Sequence, residues 1–185
     1  MKRVSDNPPA RYPARRIHEA EAPWWIAKVK PRQEKALAFD LMRLETEYYL
    51  PMYTKVTRRR DNNKPRKSVL PLFPGYLSFC ASAGTHRQVY ATGRIVNLVE
   101  VRHQKHFMDE LEQIYFTLDL GMPLEPLTDI GNLSPGMLVQ VQSGPLHGIR
   151  GTISRIQGTH KLILSVEGLG RAALTVDASV VKPVE

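Results

Sequence analysis

Residues 121–134 divide the chain into two parts whose apolar residues recur with different periods. The stretch holds Pro123, Pro126, Gly131 and Asn132 with no regular apolar spacing, the composition of a linker. Upstream of it, helical spacing occurs twice. Leu37, Leu41 and Leu44 share one face between Gln33 and Glu47, and Phe107, Leu111, Ile114, Tyr115 and Leu118 share one between His103 and Leu120. Downstream there is no helical period. Five short β-rich runs, 137–141, 149–156, 161–166, 172–176 and 180–182, are separated by glycine, proline or polar turns, the pattern of a small barrel. The expected fold is α+β: an antiparallel-sheet α/β sandwich domain over 23–122, a linker over 123–133, and a small β-barrel over 134–185. Residues 1–22, with Pro8, Pro9 and Pro13 among scattered charges, read as a flexible leader.

Within the first part, Trp24, Trp25, Ile26, Ala27 and Val29 form an apolar run ended by Lys30 and Pro31, consistent with a central strand. Residues 48–57 and 68–82 read as partner strands, with Pro51 marking an edge or a bend. A short helical segment at 86–91 precedes another strand around Ile95, Val96, Leu98, Val99 and Val101. The stretch between the two partner strands is a hairpin loop dense in charge. Lys55, Arg58, Arg59, Arg60, Lys64, Arg66 and Lys67 face only Asp61 between residues 51 and 70.

The net charge of +8 is placed unevenly. Residues 1–122 hold 21 Lys and Arg against 13 Asp and Glu, whereas residues 123–185 hold 5 of each. The whole excess therefore lies in the first part, where a polyanion would be drawn to the hairpin through counterion release.

Other classes are excluded by what the sequence lacks. With 42% apolar and 24% charged residues the chain is globular rather than disordered. It has no apolar run near the ~18 residues of a membrane helix, and its first segment lacks the apolar centre of a secretory signal, so a cytoplasmic protein without a membrane partner is expected. Cys80 is the single cysteine, which forbids an intrachain disulfide and a cysteine zinc cluster, and it reads as a small buried hydrophobe. His103 and His106 lack a third ligand at matching spacing. Asp109, Glu110 and Glu112 read as the wet face of a helix. No nucleophile motif and no phosphate-cradling glycine loop is present, so neither an enzyme nor a cofactor or metal site is expected.

Several stretches together carry a family resemblance. Tryptophan opening the first strand, "KPRQEKAL" entering the first helix, "YYLPMYTKV" and then "PLFPGYLSF" resemble the N-terminal domain of NusG-family transcription elongation factors. Beyond the linker, "PGMLVQVQSGPLHGIRGTI" looks like a KOW motif, and "LILSVEGLGRAALTVDASVVKPV" looks like the rest of its barrel. Gly144-Pro145 and Gly148 through Gly151 make a tight connection in which glycine serves the turns, with Val139, Val141, Ile149 and Ile153 filling the interior.

The resemblance implies site residues. The aromatic before "PG" in such proteins lies on an apolar patch that docks on the clamp helices of the largest RNA polymerase subunit, and Phe73 holds that position. Prolines on both sides interrupt regular pairing, and strand alternation argues against Leu72 and Phe73 both facing inward, so Phe73 is expected outside as an anchor. Leu72, Pro74, Tyr76 and Trp25 would line or support the patch. The hairpin cations Arg58, Arg59, Arg60, Lys64, Arg66 and Lys67 would then touch the non-template strand or the upstream duplex through phosphates. Lys30, Arg32, Lys35 and Arg43, around the first helix, form a second candidate nucleic-acid surface. Val166, Leu169 and Gly170, after the third barrel strand, are where the family's barrel binds a partner, a small-subunit ribosomal protein or Rho.

The expected function is a monomeric elongation or antitermination factor that suppresses pausing or termination and recruits a partner through its KOW domain. The alternative is a KOW-type RNA-binding or ribosome-associated protein, which the neutral charge of the barrel disfavours. The leader before Trp24 and the "PLFPGYLSF" spelling lean towards specialised paralogues resembling RfaH, in which the KOW segment can refold as a helical hairpin. Six glycines, Gly144, Gly148, Gly151, Gly158, Gly168 and Gly170, and Pro145 would interrupt such helices at ~1 kcal/mol per interior glycine and ~3 for proline, so strands are expected here.

Overall fold

A computed structural model describes residues 7–82, 84–127 and 136–184. The chain divides into two compact units, Met1–Gln104 and Lys105–Glu185. Residues 128–135, which include most of the expected linker and the first residue of the KOW-like motif, lie outside the described residues.

The first unit is built on a five-stranded antiparallel sheet in the order β1 (Arg11–Tyr12), β3 (Tyr48–Tyr49), β6 (Tyr76–Cys80), β2 (Trp24–Val29), β7 (Ile95–Glu100). Helices α1 (Glu34–Arg43) and α2 (His86–Ala91) pack on one face. Ala27, Val29, Leu77 and Phe79 of the sheet meet Leu37, Ala38 and Leu41 of α1 and Val89 of α2 in a single core. Trp24 and Ile26, on the opposite face of β2, are buried as well. Burial on both sides is why this strand reads as an unbroken apolar run rather than an alternating one.

Helix α1 ends earlier than its expected span of 33–47. Glu45 adopts a left-handed φ of 52°, the Glu45 N–H donates to the Met42 carbonyl and the Thr46 N–H to the Leu41 carbonyl. This is the two-bond C-terminal closure that glycine usually provides.

The two expected long strands are each broken at proline. The first splits into β3 and β4 (Met52–Arg58) across Pro51, and the second into β5 (Pro65–Pro71) and β6 across Pro74. The breaks coincide: the Leu72 N–H donates to the Pro51 carbonyl at 2.8 Å. β4 and β5 therefore leave the sheet together and, among the described residues, pair only with each other, as a two-stranded ribbon.

Residues expected as a flexible leader are folded onto the sheet from about residue 8 onward. β1 extends the sheet beside β3, Ile17 is fully buried, and the Arg11 side chain is buried against Glu47. The sequence pattern hid this because a two-residue strand has no period to detect. Residues 1–6 lie outside the described residues.

The second unit contains α3 (Gln104–Asp119) from Lys105 onward, followed by a six-stranded antiparallel sheet in the order β13 (Val181–Pro183), β9 (Met137–Val141), β10 (Arg150–Ile156), β11 (Thr159–Val166), β12 (Gly170–Thr175), β8 (Glu125–Pro126). The five expected strands are present as strands, not as a helical hairpin. β8 is an addition within the expected linker, pairing with Ala172 and Ala173. Val139, Val141 and Ile149 are buried as expected, and Ile153 is half-buried. Gly148 has a φ of 90°, and a Cβ on Gly151 would stand 2.5 Å from the Ile163 carbonyl oxygen, so the turn and the close strand crossing each require glycine. No described helix is long and apolar enough to cross a membrane.

Candidate nucleic-acid interface

The ribbon presents the hairpin cations. Met52 pairs with Pro71, and the register runs through Tyr53–Leu70, Thr54–Val69, Lys55–Ser68, Val56–Lys67 and Thr57–Arg66 to Arg58–Pro65. Beyond it the Arg59 N–H donates to the Lys64 carbonyl, and the Asn63 N–H donates to the Arg59 carbonyl with Asn63 at a left-handed φ of 54°. The Asn62 side-chain oxygen accepts from the Lys64 N–H at 3.1 Å, the local bond by which asparagine favours turns. Lys55, Arg58, Arg59, Arg60, Lys64, Arg66 and Lys67 are all exposed. Near the tip, Thr57, Arg58, Arg59, Arg60, Asp61 and Arg66 line an open hollow of about 520 Å³.

The second expected cationic group behaves differently. Lys30 Nζ donates to the Gly93 carbonyl at 2.6 Å, and Lys35 Nζ donates to Asn7 Oδ1 and to the Val69 carbonyl, each at 2.6 Å. Arg43 pairs with Asp40 at 2.7 Å, and Asp40 also holds Arg94. Arg32 is exposed in a turn with a φ of 62°. Lys30 and Lys35 are thus held by backbone carbonyls of other segments, whereas Arg43 is 74% exposed and paired within its own helix. Lys35 ties α1 to the backbone of β5, at the root of the ribbon.

The "PLFPG" loop closes in a type II turn: the Tyr76 N–H donates to the Phe73 carbonyl at 3.2 Å, Pro74 precedes Gly75, and Gly75 has a φ of 86°. Glu34 of α1 is buried, and its Oε1 accepts from the Gly75 N–H at 2.7 Å. Pro74 is exposed and Tyr76 half-buried. Phe73 is only 4% exposed and Leu72 is fully buried. The expectation of an outward aromatic anchor is therefore corrected. Alternation did not apply, because residues 72–75 lie between β5 and β6 and outside any strand, where neighbouring side chains are free to face the same way. Trp25 packs edge-on against His86 with ring centroids 4.2 Å apart, on the face of the sheet that also carries Phe79.

A buried ion network joins the N-terminal strand to the sheet. Glu47 accepts from Arg11 and, through Oε2, from Arg15 at 2.5 Å. Burial alone would raise the Glu47 pKa, but the hydrogen bonds from Arg15 and Arg11 outweigh it and hold the carboxyl below its ordinary value.

In the second unit Val166 and Leu169 are 2% and 7% exposed, so two of the three expected partner contacts are core residues. Val166 continues the inward face of Leu162 and Leu164, and Gly170 alone of the three is exposed. Glu110 Oε2 of α3 accepts from the Glu167 N–H at 2.7 Å, and Gln113 Oε1 accepts from the Arg150 N–H at 2.7 Å. Helix α3 thus places its polar side on β10 and the β11–β12 turn. His106 lies 3.2 Å from Glu110, whose pKa burial raises. Glu34, Glu47 and Glu110 were not singled out as functional in the sequence. Only Glu34 lay within a quoted motif, and the single signal for it was its place at the helix entry.

A mixed antiparallel α/β unit carrying an exposed basic ribbon, and a second unit of one helix and a small antiparallel sheet, define a two-part protein. A family model described as "Transcription termination factor nusG" matches residues 22–114, and the chain belongs to the NusG family. Among solved structures, a crystal structure of an MjSpt4:Spt5 complex in its conformation B shares 16% identity, with 88% of this chain and 97% of that chain covered and a TM-score of 0.28. No curated protein matches the chain.

Proposed function

We propose that the protein is a transcription elongation and antitermination factor that binds RNA polymerase with its first unit and nucleic acid with the β4–β5 ribbon. Membership of the NusG family supports a role in transcription. The single observation that carries the nucleic-acid part is the ribbon itself, an element paired with no other strand among the described residues, whose seven cations are all exposed. Such a surface binds phosphates without reading sequence.

The polymerase contact is assigned to the "PLFPG" loop, with exposed Pro74 and half-buried Tyr76 outermost and Phe73, Leu72 and Trp25 supporting them. The clamp helices of the largest subunit are the partner the family resemblance suggests. The β-rich unit would recruit a second protein, a ribosomal protein or Rho, at the β11–β12 turn, where Gly168 and Gly170 leave backbone accessible.

Affinity purification of the full chain from its host tests the reading. Core RNA polymerase should co-purify, and Tyr76→Ala should weaken its recovery. On a purified template the chain should shorten pauses. Recovery of ribosomal subunits without polymerase would overturn the assignment in favour of a ribosome-associated RNA-binding protein.

A further inference from the structure

We propose that the β4–β5 ribbon enters the major groove of B-form duplex DNA. The inference rests on the nucleic-acid reading above and specifies its ligand. Residues directly paired across antiparallel strands share a face, and successive pairs alternate faces. The observed register therefore puts Thr54, Val69, Val56, Lys67 and Arg58 on one face and Tyr53, Leu70, Lys55, Thr57 and Arg66 on the other. Each face carries cations: Arg58 and Lys67 on the first, Lys55 and Arg66 on the second.

A ribbon lying on a flat surface, or along one nucleic-acid strand, needs positive charge on one side only. Charge on both sides matches an element flanked by two phosphate chains. The dimensions agree. A two-stranded ribbon fits the B-form major groove, ~12 Å wide, and not the minor groove, ~6 Å wide. The A-form major groove of duplex RNA is too narrow and deep for side chains to read.

Two further features fit that placement. Every residue from Thr54 to Lys67 is exposed, so no part of the fold widens the ribbon along this length. At the tip, the hollow lined by Arg58, Arg59, Arg60 and Arg66, with Asp61 the one carboxylate among them, suits a phosphate chain at the groove edge.

The test measures binding of the full chain to a short B-form duplex, to one of its single strands, and to an RNA duplex of the same sequence, across a salt series. Two double variants divide the faces: Arg58→Ala with Lys67→Ala, and Lys55→Ala with Arg66→Ala. The duplex DNA should bind tightest, and both variants should weaken it to a similar degree. Each should reduce the slope of log affinity against log salt by about 1.8, at ~0.9 for every phosphate that is no longer neutralised. Saturating protein should protect guanine N7, in the major groove, from dimethyl sulfate and leave adenine N3, in the minor groove, reactive. Equal binding of the single strand, loss through one face only, or protection at adenine N3 would each overturn the groove placement while leaving nucleic-acid binding intact. Absence of binding to all three would overturn both, and polymerase co-purification remains a separate readout of the transcription assignment.

Discussion

The buried carboxylate of Glu34 accepts a hydrogen bond from the Gly75 N–H at 2.7 Å, so the first turn of α1 fixes the conformation of the loop that carries Phe73 and Pro74. Gly75 must sit at a positive φ for the type II turn to close, and its amide then points at α1 rather than at a neighbouring strand. The helix entry and the loop, 41 residues apart, form one structural element.

Replacing Glu34 separates the hydrogen bond from its charge. Glu34→Ala leaves the Gly75 N–H without its acceptor and should cost about 1–3 kcal/mol. Glu34→Gln keeps an acceptor oxygen and should lie much nearer the parent. Urea denaturation, with hydrogen exchange at Gly75 and Tyr76, checks this; equal losses in the two variants would show that the bond does not hold the loop.

The Arg11–Glu47–Arg15 network makes stability depend on pH. Glu47 titrates below its ordinary value in the folded chain and near ~4.3 when unfolded. Its contribution is therefore complete above the unfolded value and is lost as pH falls through the folded one. Thermal denaturation over the acid range should show this loss, and Glu47→Gln should flatten the curve there while lowering stability at neutral pH. An acid slope unchanged by Glu47→Gln would assign the loss to other carboxylates.

Phe73 should behave as a core residue. Phe73→Ala is expected to destabilise the first unit by about 3–5 kcal/mol, because it removes a large side chain from a packed site. Phe73→Leu should cost far less. A denaturation midpoint unmoved by Phe73→Ala would mean that the ring contributes no packing.

Much of the architecture was legible in the sequence because its signals are local. The helical spacing of Leu37 and Leu41 gave α1, and the periods at Phe107, Leu111 and Ile114 gave α3, and these five residues are buried. The five β-rich runs became strands, and the cation cluster became the exposed ribbon tip. What was missed involved pairing over distance. β1 is too short to show a period, yet Tyr48 and Tyr49 supply its partner and Glu47 its counter-ion. Lys30 and Lys35 resemble free cations in a sequence, and only the carbonyls of Gly93 and Val69 identify them as braces. Val166 and Leu169 were expected to face outward, but Val166 continues the inward face of β11 and Leu169 is buried beside it.

Helices, strands and positive charge lie where local signals put them, since hydrophobic period, proline and glycine act on the backbone within a few residues. Which side of each segment meets the core depends instead on contacts between distant segments. Phe73 carries the same flanking prolines whether it points out or in. Its direction is set by the Leu72 bond to Pro51 and the Gly75 bond to Glu34, which close the loop over it from segments far away in the chain.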